Sequence, residues 1–188
     1  MLVLVSWLIA AAWPQGPVVS LLSSEGVRWF FGQFTNNLAH PVVVWLLLLS
    51  LGWGALRQGG LGGRLKSIFR QVRTPFTYRE RFALIVVGIE LLLMLVVVAL
   101  LTCIPHAVLL DVTGGLRSGA FPASLVPMVA FAMVVTGVTY GSLCDRFHSV
   151  YDVVDSLASG IRATAPWWLV AVVAMEFVAS CHFVFFSV

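Results

Sequence analysis

The sequence predicts an all-α, polytopic integral membrane protein with four or five transmembrane helices, and three observations support this fold class. The chain has 188 residues, of which 60% are hydrophobic and only 10% are charged, unlike the balance of a soluble domain. Its mean hydropathy is +1.00. The hydrophobic residues form long runs, and a helix needs about 20 such residues to cross a bilayer. We expect residues 1–188 to form a single membrane domain.

Four runs are long enough to span a membrane, at about residues 38–56, 82–104, 121–144 and 164–188. A fifth run at about residues 1–13 is shorter, because it ends before Pro14 and would give roughly 18 Å of helix. No basic residue precedes this run, so it is unlike a signal peptide. We interpret it as a first transmembrane helix whose cytoplasmic half is missing or unusually short.

The positions of Lys and Arg predict the orientation of the chain. Loops 57–81 and 145–163 together hold nine of these residues, whereas the opposite loops hold only Arg28 and Arg117. Cytoplasmic loops carry the excess of positive charge. We therefore expect both basic loops to be cytoplasmic, with the N-terminus inside and the C-terminus outside if five spans are present.

Two connecting segments, residues 60–73 and 147–162, have the spacing of amphipathic helices. In the first, apolar residues recur on one helical face and basic residues lie off that face: Leu61, Leu65, Ile68, Phe69 and Val72 against Arg64, Lys66, Arg70 and Arg73. This pattern predicts a basic helix on the cytoplasmic leaflet of the bilayer. The second segment is acidic on its polar side, at Asp152 and Asp155, and is expected to pack on protein or to lie shallowly at the interface.

Two carboxyl groups lie inside the predicted spans. Glu90 is about eight residues into its span and Glu176 about ten residues past Pro166, so both are expected roughly 12 to 15 Å from the cytoplasmic face. A carboxylate at that depth costs at least about 2.5 kcal/mol. Each residue is either a proton or cation relay or a neutral carboxyl group hydrogen-bonded to a neighbouring helix, and we favour the neutral group.

Three further residues in the membrane runs are candidates for a role. His182 follows Glu176 by six residues and so lies on a different helical face, which favours an interfacial histidine near the outer headgroups. Gly137 and Gly141 form a GxxxG motif that permits close helix approach. This approach serves packing within the chain or dimerisation.

The sequence carries none of the catalytic motifs considered below. The sequence contains no GxSxG, HExxH or phosphate-binding loop motif, so we expect neither an enzyme nor a cofactor. Three cysteines, Cys103, Cys144 and Cys181, lack metal-ligand spacing and are interpreted as small buried apolar residues. The charge distribution gives no indication of nucleic-acid binding.

Two blocks of sequence carry a family resemblance. The first, Leu21–Ser67, ends in "LGWGALRQGGLGGRLKS". The second, Tyr78–Ser180, contains "SLVP" at Ser124–Pro127, "YG" at Tyr140 and Gly141, and "DVVDSLASGIRATAP" before the last span. In order and spacing these blocks resemble the p-aminobenzoyl-glutamate transporter (AbgT) family of bacterial inner-membrane proteins.

The resemblance implies a location in the bacterial cytoplasmic (inner) membrane and a helical scaffold through which family members pair as dimers. Family members are longer and carry two re-entrant hairpins that bind substrate and cation, one between the two blocks and one after the point where this chain ends. We expect both hairpins to be absent, so no binding residue is carried over. Glu176 stands where the family usually has glutamine, which favours a neutral Glu176.

These expectations lead to two hypotheses about function. The first is a scaffold-only relative that acts as a dimerising or docking subunit of a membrane complex and has no transport site of its own. Its partners would be the lipid bilayer and a second copy or another membrane subunit. The second is a minimal oligomeric transporter or channel for small organic or antimetabolite-like solutes, coupled to protons or sodium through Glu90 and Glu176.

Overall fold

The computed structural model of the protein describes residues 1–13, 18–70, 75–103 and 121–186. Within these ranges all regular structure is helical, which confirms the predicted all-α class. The helices are α1 (Leu2–Ala12), α2 (Ser24–Leu38), α3 (Pro41–Gly59), α4 (Leu61–Phe69), α5 (Tyr78–Cys103), α6 (Phe121–Leu143) and α7 (Val150–Phe186). The predictions that concern Pro14, Val72, Arg73, Arg117, residue 104 and residues 187–188 lie outside the described residues.

Four helices in the described part of the chain, α3, α5, α6 and α7, are long and apolar enough to cross a membrane. They coincide with the four long spans predicted from the sequence, apart from their ends. Helix α1 is apolar but has only 11 residues, about 16 Å of helix. Its length matches the short first helix expected from the sequence.

The last helix differs from the prediction. The amphipathic segment 147–162 and the span 164–188 were expected as separate elements, but α7 runs without a break for 37 residues, through Pro166. Proline lacks the N–H that would bond to the carbonyl of Arg162. Membrane helices tolerate proline because nearby hydroxyl groups and helices satisfy freed backbone groups. The nearby Thr164 hydroxyl donates to the carbonyl oxygen of Gly160 at 2.9 Å, so it does not satisfy the freed carbonyl of Arg162.

The described chain divides into two compact units. The first unit consists of Met1–Val44 and Ala165–Val188, and the second of Trp45–Thr164. The first unit has a small core of Leu21, Phe183 and Val184. Trp29 of α2 stacks on Phe183 with ring centroids 4.3 Å apart, which fixes α2 against the end of α7.

Hydrogen bonds also connect the elements of the first unit. The backbone N–H of Val19 donates to the carbonyl oxygen of Val184 at 3.2 Å. The N–H of Leu21 donates to the buried Ser6 hydroxyl of α1 at 3.3 Å. At the start of α2, the Ser23 hydroxyl accepts a bond from the N–H of Gly26 at 3.0 Å. This cap satisfies one of the free N–H groups at the helix start.

Glycine residues control the packing of the second unit. Gly54 of α3 lies against Gly160 of α7, so closely that a Cβ atom at Gly160 would be 2.7 Å from the nitrogen of Gly54. On α6, a Cβ atom at Gly137 would be 2.7 Å from the carbonyl carbon of Ala55. Helices in membranes approach to backbone contact where small residues face each other. Helix α3 is therefore held between α6 and α7 by contacts that leave no space for a side chain.

Candidate functional site

Glu176 is a buried acid of the first unit. It lies on α7 and is only 9% exposed. Its Oε2 atom accepts a hydrogen bond from Nδ2 of Asn37, at the end of α2, at 3.3 Å. Its Oε1 atom is buried and has no hydrogen-bond partner among the described residues. The hydrogen-bond partner of this side chain is thus an uncharged amide group.

A cavity of about 430 Å³ lies beside this acid. Its walls come from α1, α2 and the C-terminal part of α7, and are mostly aliphatic and aromatic. The residues that line it are Met1, Leu2, Val3, Leu21, Val27, Phe30, Phe31, Glu176, Phe177 and Ser180. All of them belong to the first unit. Among the described residues of this wall, Glu176 is the single acidic side chain, and none is Lys, Arg or His.

Glu90 is a half-buried acid of the second unit. Its Oε1 atom accepts a hydrogen bond of 2.7 Å from the hydroxyl of Thr139 on α6. Its Oε2 atom is buried without a partner within the described ranges. Thr139 lies four residues before Leu143, where α6 ends, or about 6 Å along the helix axis. The contact therefore joins Glu90 to the last turns of α6 rather than to its centre.

His182 is exposed on α7, with its ring centroid 5.5 Å from that of Phe186. Together with Asn37 and His40 it lines a second cavity of the first unit, of about 620 Å³. An exposed histidine next to an aromatic ring fits the interfacial position expected from the sequence, and that position remains a prediction.

Gly137 and Gly141 both face other parts of the second unit. A Cβ atom at Gly141 would be 3.1 Å from the Cα atom of Gly59, and it would overlap the ring of Phe147. Gly137 meets the backbone of Ala55, as described above. The structure therefore places both glycines of the GxxxG motif at contacts within the chain.

A polar cluster that the sequence did not predict lies where α4 meets α5. Arg64 forms an ion pair with Glu80, and its Nε atom donates to Oε1 of Glu80 at 2.8 Å. Glu80 also accepts a bond from the N–H of Thr77 at 3.1 Å. The hydrogen bond to Glu80 raises the pKa of Arg64 above its ordinary value. The "TYRE" sequence at 77–80 has the form of a capping box. This motif could have indicated from the sequence that Glu80 has a structural role.

The ion pair lies over a small apolar core. Tyr140 is fully buried there with Leu61, Ala83 and Val87. Its hydroxyl has no hydrogen-bond partner among the residues described. The glycine at position 60 has a φ of +86°, and a side chain there would collide with the guanidinium of Arg146. The turn between α3 and α4 therefore requires glycine for both its backbone conformation and its space.

The basic helix α4 has two chemically different sides. Arg64 was expected among the outward basic residues, but it turns toward α5 to meet Glu80 because a partly buried guanidinium needs a carboxylate partner. Lys66 and Arg70 are exposed, as are the apolar residues Leu65 and Ile68. Exposed apolar and basic groups on one helix are the features expected of a helix that lies on an anionic lipid surface.

Within the described residues, no group of three or more His, Cys, Asp or Glu side chains lies close enough to hold a metal ion. Cys144 and Cys181 are free thiols and are half-buried. They are thus less buried than the sequence suggested, because both lie near helix ends. The side chain of Cys103 lies outside the described part of the chain.

We predict that Glu176 acts as a neutral hydrogen-bonding group. Glutamine keeps the acceptor for Asn37 and has nearly the same shape, so Glu176→Gln is expected to assemble like the parent protein. Glu176→Leu removes that acceptor and is expected to lower stability by about 1–2 kcal/mol. Thermal aggregation and particle size in detergent measure both effects.

The matched control is Glu25→Leu, which changes an exposed carboxyl group of α2. We expect it to change stability by less than about 0.5 kcal/mol. If Glu176→Gln were as unstable as Glu176→Leu, the negative charge itself would be required, and the neutral interpretation would be wrong.

Comparison with known proteins identifies a family for most of the chain. Residues 62–185 match the family model of the AbgT putative transporter family. No curated protein and no solved structure matches the chain. The matched range begins within α4 and includes α5, α6 and nearly all of α7.

Proposed function

Because the chain belongs to the AbgT family of transporters, we propose that this multi-pass membrane protein is a dimerising or docking subunit of a membrane complex. In this proposal the protein has no transport site of its own. It supplies a rigid helical scaffold to which a second copy or another membrane subunit binds.

The observation that carries the proposal is the continuity and close packing of the membrane helices. Transporters commonly build their midplane sites from broken helices with unwound backbone. Among the described residues, positive φ angles occur at Gly60 and Asp145, and neither lies inside a membrane helix. Contacts such as Gly54 to Gly160 leave no room for a side chain. Continuous helices in backbone contact favour a scaffold over a moving transport element.

Helix α5 supplies the surface that we propose for the partner. Only 6% of its most apolar stretch is buried. Large apolar side chains such as Leu92, Leu93 and Leu95 are about two-thirds exposed. This surface contacts either lipid or another membrane helix, and the resemblance to a family that pairs through its scaffold favours a second copy.

The test uses two differently tagged copies of the chain, expressed together and purified in mild detergent and in nanodiscs. We expect each tag to retrieve the other copy and the mass of the particle to be that of a dimer. We also expect no saturable uptake of p-aminobenzoyl-glutamate in proteoliposomes. A strictly monomeric particle with no second subunit would contradict the association, and saturable uptake would contradict the absence of a transport site.

The minimal transporter or channel remains the second candidate. The observation in its favour is that Glu90 and Glu176 each have one buried carboxyl oxygen without a partner among the described residues. Such groups in membrane helices are often part of ion or proton pathways. Proton-dependent uptake that is lost in both Glu90→Gln and Glu176→Gln would favour this candidate over the scaffold.

We further propose that residues 57–81 and 145–163 face the cytoplasm of a bacterial cell. The exposed cations Arg57, Lys66, Arg70 and Arg81 support this orientation, because cytoplasmic loops carry the excess of positive charge. A membrane-impermeant maleimide should therefore leave Ser67→Cys unlabelled in intact cells and label it after permeabilisation. Labelling in intact cells would reverse the orientation.

A further inference from the structure

The cavity beside Glu176 has the composition of a binding site, and neither the family match nor the scaffold role explains it. Three aromatic rings, Phe30, Phe31 and Phe177, contribute to a wall that is otherwise mostly aliphatic. The rings of Phe30 and Phe31 meet edge to face with centroids 5.5 Å apart. Phe31 and Phe177 are largely exposed, so the cavity is open on one side. Ligand pockets in proteins have a similar apolar wall with a few polar groups.

Among the described lining residues, Glu176 is the acidic side chain of this cavity, and Ser180 is the other residue with a hydrogen-bonding side chain. It is more than nine-tenths buried, and Oε1 has no partner among the described residues. Leaving a buried polar atom without a partner costs about 1–3 kcal/mol. Oε1 is shielded by neighbouring atoms, but the last torsion of a glutamate side chain is soft. A modest rotation can therefore bring the carboxyl group to a ligand in the cavity.

The charged and aromatic groups in the wall of the cavity indicate which kind of ligand is complementary to it. The described residues of the lining contribute one carboxyl side chain and no Lys, Arg or His side chain. A nearby cation favours the ionised form of a carboxyl group. Aromatic faces attract ammonium groups most strongly where water is excluded. A carboxyl group and three phenyl rings are thus complementary to a cation with an apolar body.

We propose that this cavity binds a small hydrophobic molecule that carries a single ammonium group. The ammonium group donates hydrogen bonds to the carboxyl group of Glu176, and the apolar body packs on Leu21, Val27 and the phenyl rings. A volume of about 430 Å³ accommodates a molecule with one aromatic ring and a short alkyl chain. This inference concerns binding only and goes beyond the scaffold role.

The test compares two probes of the same shape, 4-phenylbutylamine and 4-phenylbutan-1-ol. Their binding to the full chain in nanodiscs is measured by titration calorimetry, with empty nanodiscs as the reference for partition into lipid. We expect the parent protein to bind the amine about tenfold or more tightly than the alcohol, as hydrogen bonds to charged groups predict.

Three variants locate the binding site and its preference for the amine. Glu176→Gln keeps the hydrogen bond to Asn37 and should bind both probes with similar, weak affinity. Glu25→Gln, which changes an exposed acid outside the cavity, should keep the full preference. Val27→Trp fills part of the cavity and should weaken binding of both probes.

Three results would each overturn the proposal. The first is equal affinity of the parent protein for amine and alcohol. The second is a preference for the amine that survives in Glu176→Gln. The third is the absence of saturable binding above that of empty nanodiscs. Because no uptake or oligomeric state is measured, failure here is distinguishable from failure of the scaffold role.

Discussion

Replacing Gly160 with alanine is expected to disrupt the contact between α3 and α7. The new Cβ atom would overlap the carbonyl oxygen of Ser50 and would lie 2.9 Å from the Cα atom of Gly54. These are backbone atoms, so no side-chain rotation relieves the collision and the helices must separate. Overpacking of this kind costs about 1–3 kcal/mol, and sometimes more. We expect a value at the upper end, measured as a lower temperature of thermal aggregation in detergent.

The matched control is Gly88→Ala on α5. No atom lies within 4 Å of the position where its Cβ would be, and alanine is favoured over glycine inside a helix by up to about 1 kcal/mol. Gly88→Ala should therefore leave stability unchanged or raise it. Equal destabilisation by the two substitutions would show that close contact at Gly160 is not what stabilises this unit.

Breaking the ion pair between Arg64 and Glu80 is expected to have the second large effect. The two side chains are only 20% and 15% exposed, so water screens their attraction less than it would at a fully exposed site. Removing one partner of a buried pair costs about 3–5 kcal/mol, and the remaining exposure reduces this to about 2 kcal/mol or more. Glu80→Gln should show this loss while retaining an acceptor for the N–H of Thr77.

A double-mutant cycle with Arg64→Gln isolates the interaction from other effects of each change. The control is the pair Arg162 and Asp155 on α7, whose side chains are 66% and 46% exposed. Exposed pairs contribute about 0–1 kcal/mol, so Asp155→Asn should have little effect. A coupling energy for Arg64 and Glu80 no larger than that of the exposed pair would contradict the structural role of the cluster.

The sequence determined the fold class and the four long spans. Runs of about 20 apolar residues are readable from sequence because a membrane helix satisfies its own backbone and needs no partner. The sequence also showed that Glu90 and Glu176 lie inside the spans, because a carboxyl group is easily recognised within a run of apolar residues. The sequence did not predict that α7 is continuous. Proline ordinarily ends a helix, and the groups around Pro166 decide whether the helix continues.

The tertiary structure alone decided which partner each polar or small residue has. Asn37 is 139 positions from Glu176 along the chain, and Thr139 is 49 positions from Glu90, so no local spacing rule connects them. Gly54 and Gly160 become significant only when two helices meet, because a missing Cβ matters only where another backbone occupies that space. The partner of Arg64 could not be predicted from the amphipathic pattern. That pattern places Arg64 off the apolar face of a basic helix that lies on the cytoplasmic leaflet. A carboxylate on the next helix turned it inward, because desolvated charges require opposite charges.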